Sequence, residues 1–159
     1  MNLSIVIPLL NEQNSLEELT NSISTVLKSL RLEFEIILID DGSTDNSWKT
    51  ISKICSNNQN VKGIRFLKNF GKSQALSAGF KACKGDVVVT MDADLQDDPN
   101  EIPELYKKIN EEKLDLVSGW KKVRYDSIIL KNFPSKVFNW AARITSGIKL
   151  NEFICGIKA

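Results

Sequence analysis

The sequence predicts an α/β protein with a Rossmann-like, doubly wound and mainly parallel sheet that carries helices on both faces. Segments with strand and helix character alternate along the chain. The strand segments are continuous apolar runs rich in β-branched residues, the pattern of strands covered on both sides. Size agrees with this reading. A chain of 159 residues, 42% apolar and 26% charged, is one globular domain spanning 1–159 that buries roughly two-thirds of its unfolded surface.

The first strand is Leu3-Ser-Ile-Val-Ile-Pro8, closed by its proline. Helical spacing begins at Ser15, with Leu16, Leu19, Ile23, Val26, Leu27 and Leu30 on one face, and Ser15 with Glu18 reads as a capping box. Residues 34–39 form the second strand and run into Asp40-Asp41-Gly42-Ser43-Thr44-Asp45. A helix over about 45–56 turns Trp48, Ile51, Ile54 and Cys55 inward, with Thr44 or Asp45 as its cap. A third strand covers 61–67 and a helix about 72–83. The fourth strand, 86–91, is the most strongly β-branched, and Asp92-Ala93-Asp94 follows it directly. A helix over about 100–111 and a strand over 114–120 complete the alternation.

In such sheets ligands bind at the carboxyl ends of the strands. Those ends are here residues 8–12, 40–45, 68–72 and 92–98, and every one of them carries polar residues. Composition limits the chemistry they can perform. The chain has no histidine, which excludes Ser-His-Asp and Cys-His catalysis and zincin sites, so acid-base work falls to carboxylates, lysines and tyrosines. The net charge of +1 hides a gradient. Residues 81–120 carry five basic and ten acidic side chains, whereas residues 121–159 carry eight and two. This asymmetry suits either a cation site beside an anion site or two solvated faces.

Cys55, Cys83 and Cys155 are widely spaced without a C-x-x-C pair, as expected of free thiols in a reducing compartment. The N-terminal run lacks the basic region of a signal peptide, and no stretch approaches 18 apolar residues, which together point to a cytoplasmic chain.

Among the rim segments, Asp92-Ala93-Asp94 offers hard oxygen ligands suited to Mg²⁺ or Mn²⁺ held together with substrate phosphates, and Gln96 adds a neutral carbonyl. Asp97-Asp98-Pro99 reads first as a turn and helix cap. Asp41 can accept a hydrogen bond from a nucleobase N–H, with Asn11 and Glu12 beside it past Pro8. Asn69-Phe70-Gly71-Lys72-Ser73 is not a P-loop, because Phe66 stands where that motif needs glycine. Gly71 and Lys72 at a helix N-terminus can still face a phosphate.

Five ordered blocks, V-I-P-L-L-N-E, I-D-D-G-S-T-D, N-F-G-K-S-Q-A-L-S-A-G, M-D-A-D-L-Q-D-D-P and V-S-G-W-K-K, resemble the family 2 glycosyltransferases of GT-A fold. Within that family the chain is most similar to the polyprenyl-phosphate branch, the dolichol-phosphate mannosyltransferases and undecaprenyl-phosphate sugar transferases. The resemblance implies inverting transfer of a sugar from a nucleotide-diphosphate donor to a lipid phosphate, with Mg²⁺ or Mn²⁺ and no nucleic acid partner. It assigns Asp94 and Gln96 to the metal, Asp94 also to catalysis, and Asp92, Ala93 and Lys72 to the donor. Pro8, Asn11, Glu12 and Asp41 fall in the nucleoside pocket. Lys121, Arg124 and Lys131 fall where the family holds phosphates, though lysine at 121 replaces the commoner arginine and loses its bidentate fork. Glu152 stands where aspartate is usual. It is either a catalytic base, needed if the acceptor is a saccharide hydroxyl, or a structural hydrogen-bonding group.

Residues 135–147, with Val137, Trp140, Ala141 and Ile144 on one side and basic residues around them, read as a core helix or as an interfacial helix facing anionic lipid. The chain stops at Gly-Ile-Lys-Ala without a cap or strand signal. Because the family's domain normally continues, and in this branch often adds transmembrane helices, the chain reads as an N-terminal portion acting at the cytoplasmic face of a membrane. Two rival readings remain open. A haloacid-dehalogenase-type phosphotransferase expects its D-x-D on the first strand followed by Gly-Thr, but here Leu95-Gln96 follows on the fourth. A nucleotide-binding fragment without turnover is the other.

Overall fold

The computed structural model describes residues 1–119 and 157–159. Four parallel strands, β1 (Leu3–Leu9), β2 (Phe34–Asp40), β3 (Val61–Arg65) and β4 (Val87–Thr90), form one sheet in the order β3-β2-β1-β4. Between and after them lie α1 (Leu16–Ser29), α2 (Ser47–Asn57), α3 (Lys72–Ala82) and α4 (Ile102–Glu112), with a 3₁₀ turn, Pro99–Glu101, leading into α4.

β1 and β2 are buried along their whole length, which is why both are apolar except at Ser4, Glu35 and Asp40. Leu3, Ile5, Ile7 and Leu9 of β1, with Ile36 and Leu38 of β2, meet Leu16, Leu19, Ile23 and Leu27 of α1 in one core. Ile51 and Ile54 of α2 and Ile102 and Leu105 of α4 join the same core. Val6, Ile37 and Ile39 point the other way, onto Ala75 and Leu76 of α3. Helices therefore cover both faces, as the sequence predicts. The chain steps from β1 through β2 to β3 and then returns to the opposite side of β1 for β4. That reversal opens a crevice at the carboxyl ends of β1 and β4.

Several expectations are corrected. β3 ends at Arg65 and β4 spans only Val87–Thr90, each shorter than its apolar run. The expected strand over 114–120 is absent from its described part, where Leu114 and Leu116 are exposed and only Ser118 forms an isolated antiparallel bridge, to Lys158. Lys158 also bridges Thr90, so residues 157–159 lie between β4 and 117–119, although no strand is expected there from sequence. Val117 N–H donates to Ala159 O at 2.8 Å and Gly119 N–H to Ile157 O at 3.1 Å. Ile157 and Ala159 are buried, and that anchoring, absent from any local strand signal, is what places the segment.

The capping box does not form either. Ser15 has φ −94° and ψ −24°, already helical, and its hydroxyl donates backward to Glu12 O (3.0 Å) and Glu12 Oε2 (3.2 Å). The N-cap of α2 is Asn46 rather than Thr44 or Asp45, although Asp45 Oδ1, one residue earlier, accepts the Ser47 N–H at 2.9 Å. Asp98 caps the 3₁₀ turn through the Asn100 N–H at 2.9 Å. Among the described residues no helix is long and apolar enough to cross a membrane. Residues 135–147 lie outside the described residues.

Candidate functional site

A cavity of ≈ 340 Å³ occupies the crevice. Its walls are Pro8, Leu9, Leu10 and Glu12 after β1, Asp41 after β2, Asn69, Gly71 and Lys72 at the start of α3, and Asp92, Ala93 and Asp94 after β4. Of the residues singled out in the sequence, Pro8, Glu12, Asp41, Lys72, Asp92, Ala93 and Asp94 thus meet around one space. Asn11 and Gln96 do not line it. Lys121, Arg124, Lys131 and Glu152 lie outside the described residues.

Asn11 is held away by its own hydrogen bonds. At φ 59° it takes the left-handed conformation that asparagine tolerates. Its carboxamide oxygen accepts the Thr44 N–H at 2.9 Å, and its own N–H donates to Ser43 Oγ at 2.9 Å. Glu12 N–H donates to Ser47 Oγ at 2.9 Å, and Gln13 N–H to Asp45 Oδ2 at 3.3 Å. The loops after β1 and β2 are in this way fastened side by side. Burial works against ionisation of Asp45, but the Ser47 hydroxyl, the Ser47 N–H and the Gln13 N–H outweigh it and hold its pKa below the usual carboxylate range.

The two aspartates at the end of β2 divide their work. Asp40 is fully buried and accepts the Ser43 N–H at 2.8 Å through Oδ1, closing the turn. Its Oδ2 has no hydrogen-bond partner and faces Arg65 Nε at 3.7 Å. The Arg65 guanidinium stacks 5.5 Å from the centre of a Trp48 ring. Asp41 accepts the N–H groups of Phe70 (2.8 Å) and Gly71 (2.9 Å), one on each oxygen, and so holds the loop before α3 against the cavity. Each carboxylate oxygen retains a second lone pair for a ligand donor. Sequence reasoning placed residues 8–12 and 68–72 on the rim, but it did not foresee that Asp41 holds this loop or that Arg65 faces Asp40. The signal for the loop was Gly71, whose φ of 94° only glycine adopts readily.

After β4 the chain turns sharply, with Leu95 at φ 61°. Two carboxylates one residue apart on a straight strand would diverge, but β4 ends at Thr90 and the chain already bends at residues 93–95, and Asp92 and Asp94 line the same cavity. Ala93 between them is buried. Asp94 is exposed, and its Oδ1 accepts the Gln96 N–H at 3.1 Å. Asp97 is buried and receives the Asp92 N–H at 3.4 Å. Lys72, the first residue of α3, forms an ion pair with Asp92 across the cavity wall.

Among the described residues no three carboxylate or thiol groups gather into a cation cage. The Asp94 carboxylate is the kind of hard oxygen donor that suits a divalent ion completing its shell with substrate oxygens and water, which is how Mg²⁺ is commonly bound, whereas Gln96 does not line the cavity. Cys55 and Cys83 are free and half-buried, and burial pushes both thiols up. Neither belongs to the cavity walls.

The family model described as glycosyl transferase family 2 matches residues 4–155. The chain belongs to glycosyl transferase family 2. Among relatives of this family 2 chain, an undecaprenyl-phosphate 4-deoxy-4-formamido-L-arabinose transferase of Pseudomonas fluorescens (strain SBW25) is 40% identical over 157 residues, 98% of this chain and 46% of that protein. A dodecaprenyl-phosphate galacturonate synthase of Rhizobium johnstonii is 33% identical over 159 residues, 99% of this chain and 47% of that protein. The chain spans about half the length of the curated relatives it matches.

Among solved structures, glucosyl-3-phosphoglycerate synthase from Mycobacterium tuberculosis, in complex with Mn²⁺, uridine diphosphate and glucosyl-3-phosphoglycerate, superposes with a TM-score of 0.74. It is 26% identical, and the match covers 99% of this chain and 55% of that one. A Pyrobaculum calidifontis mannosyltransferase, TM-score 0.65 and 21% identical, covers 76% of this chain and 36% of its own and shares the fold. The order β3-β2-β1-β4 with helices on both faces is the GT-A, Rossmann-like arrangement expected for family 2.

Proposed function

We propose that this chain is the catalytic portion of an inverting glycosyltransferase that moves a sugar from a nucleotide-diphosphate sugar to polyprenyl phosphate. One observation carries the reading. At the switch point of the sheet, the loops after β1, β2 and β4 and the N-terminus of α3 wall a single cavity with carboxylates and one lysine. The acceptor class rests on the undecaprenyl- and dodecaprenyl-phosphate relatives.

In this reading Pro8, Glu12 and Asp41 receive the nucleoside, and Asn11 serves by fastening the loops that carry them. Asp92 and Ala93 contact the ribose and diphosphate, and Lys72 exchanges its pairing with Asp92 for a donor phosphate. Mg²⁺ or Mn²⁺ would be held by Asp94 and Gln96 and would supply charge neutralisation to the departing diphosphate. Lys121, Arg124 and Lys131 hold phosphate oxygens of donor or acceptor. A lipid phosphate is already an anion near neutral pH, so attack on the anomeric carbon needs no strong base. Glu152 then orients the acceptor, and it acts as a base only if the acceptor is a saccharide hydroxyl. The relatives' lipid acceptors imply work at the cytoplasmic face of a membrane.

Calorimetric titration of uridine and guanosine diphosphates with and without Mn²⁺ tests the site. Asp94→Asn is expected to remove the Mn²⁺-dependent gain in affinity and leave the weaker metal-free binding. Unchanged metal-dependent affinity would overturn the assignment. Transfer of labelled sugar to undecaprenyl phosphate, compared with a saccharide acceptor, decides the acceptor class.

A further inference from the structure

Part of the exposed apolar surface gathers on the loops around the cavity mouth. Leu10 after β1, Leu67 and Phe70 between β3 and α3, and Leu95 after β4 are 38%, 100%, 55% and 41% exposed. Single exposed apolar residues are ordinary. Here, however, all four sit on loops at the carboxyl end of the sheet, and those loops wall the same opening through Leu10, Asn69, Gly71, Ala93 and Asp94.

The β3–α3 loop is held firmly beneath its exposed tip. Phe66 packs against the α3-side core, and the Phe70 ring stands edge-on to it with centroids 5.7 Å apart. The Asp41 carboxylate takes the N–H groups of Phe70 and Gly71. The loop backbone also lies so close to Gly42 that a Cβ there would come within 2.4 Å of the Lys68 carbonyl carbon. Leu67 nevertheless projects entirely into solvent, and Lys68 Nζ stands 5.1 Å above the Phe70 ring. No acidic residue interrupts 66–72. An aliphatic and an aromatic tip with a lysine beside them, on a loop that needs no further ordering, is suited to the boundary between lipid headgroups and acyl chains.

We propose that this rim, led by the Leu67–Phe70 loop, rests on an anionic lipid bilayer and so presents the cavity mouth to a lipid-borne phosphate. The proposal rests on the polyprenyl-phosphate reading for the reason a bilayer is needed, but it is tested separately from it. Two features favour a bilayer over a protein segment. The apolar side chains are spaced around an open mouth rather than joined in one face, and the cation stands at the tip, where anionic headgroups lie.

The test is co-sedimentation of the 159-residue chain with vesicles of phosphatidylglycerol and phosphatidylcholine. The unaltered chain is expected to pellet with the mixed vesicles, less so in pure phosphatidylcholine or at high salt. Leu67→Glu is expected to lower the partition coefficient about tenfold or more, the order set by losing burial of one leucine. Lys68→Glu should weaken binding to the anionic vesicles alone. Unchanged nucleotide affinity in Leu67→Glu serves as the control for folding, since that side chain is fully exposed and belongs to no described core. Failure of the unaltered chain to pellet, or equal pelleting by Leu67→Glu, overturns the proposal. So does a dimer in sedimentation velocity that Leu67→Glu dissolves, because the patch would then serve a second copy. A chain that pellets but transfers nothing to polyprenyl phosphate refutes the acceptor reading alone. One that glycosylates detergent-dispersed acceptor yet ignores vesicles refutes the rim alone.

Discussion

At the scale of single residues, Gly42 shows how closely the site depends on backbone shape. It has φ 77°, and a Cβ there would lie 2.4 Å from Lys68 C and 2.6 Å from Asn69 N, both backbone atoms with no room to give. Glycine lets the turn after β2 press directly against the loop before α3, and this proximity allows Asp41 to reach the N–H groups of Phe70 and Gly71. Gly42→Ala is therefore expected to cost about 1–3 kcal/mol in urea unfolding. It should also weaken nucleotide binding in calorimetry beyond what the lost stability explains. The residue type is legible from Asp-Asp-Gly-Ser, but the contact that demands it lies 26 positions away and is not.

At the scale of elements, α3 lies against the sheet through small residues. Ala75 and Gly79 are buried, and a Cβ on Gly79 would come within 2.4 Å of Val6 Cγ1 and 3.0 Å of Ile39 Cδ1. Helix propensity alone favours alanine over glycine by about 0.8–1.0 kcal/mol. Close packing reverses the sign here, because a β-branched valine in a covered strand has no free rotamer to retreat to. Gly79→Ala should lower the unfolding midpoint, and Val6→Ala in the same chain should recover part of the loss, a coupling read from a double-mutant cycle. The helix's place on the sheet sets the position of Lys72, whose partner Asp92 comes from the next strand's end. Local signals located α3 at about 72–83, and the structure gives Lys72–Ala82 with Cys83 as its C-cap. They misjudged the cap of α1, because Ser15 found a nearer acceptor in the loop behind it.

At the scale of the whole molecule, the amino edge of the sheet is tied by one buried acid. Glu35, with its side chain 1% exposed, accepts the Ser4 hydroxyl at 2.7 Å, the Lys84 N–H at 2.7 Å and the Lys62 ammonium at 2.6 Å. Ser4 Oγ in turn accepts the Gly85 N–H at 2.9 Å. The group joins β1, β2, β3 and the link from α3 to β4, at the end of the sheet remote from the cavity. Burial opposes the charge on Glu35, but the Lys62, Ser4 and Lys84 hydrogen bonds outweigh it and hold the pKa below the ordinary glutamate value. A depressed folded pKa stabilises the fold above the unfolded value, and that contribution is lost as the pH falls through the folded one. The urea unfolding midpoint should accordingly fall as the pH drops below the ordinary glutamate range. Glu35→Gln should be less stable near neutrality by about 1–3 kcal/mol and lose that acid-dependent part. A difference between the two proteins that stays constant with pH would contradict the assignment.

The sequence by itself determined the alternating fold, the four strands and the polar rim at their carboxyl ends. These depend on local periodicity and on β-branched runs that only a sheet covered on both faces can bury. It also located Asp92 and Asp94 just past the end of β4, where both line one cavity. Only the tertiary structure decided which group each polar side chain meets. Asp41 holds a loop 29 and 30 residues away, Lys72 pairs with Asp92 20 residues on, and Asn11 fastens a loop instead of lining the cavity. It likewise replaced the expected strand over 114–120 with a bridge to Lys158. Such pairings are set by where packed elements bring distant loops together, and no local pattern encodes that meeting.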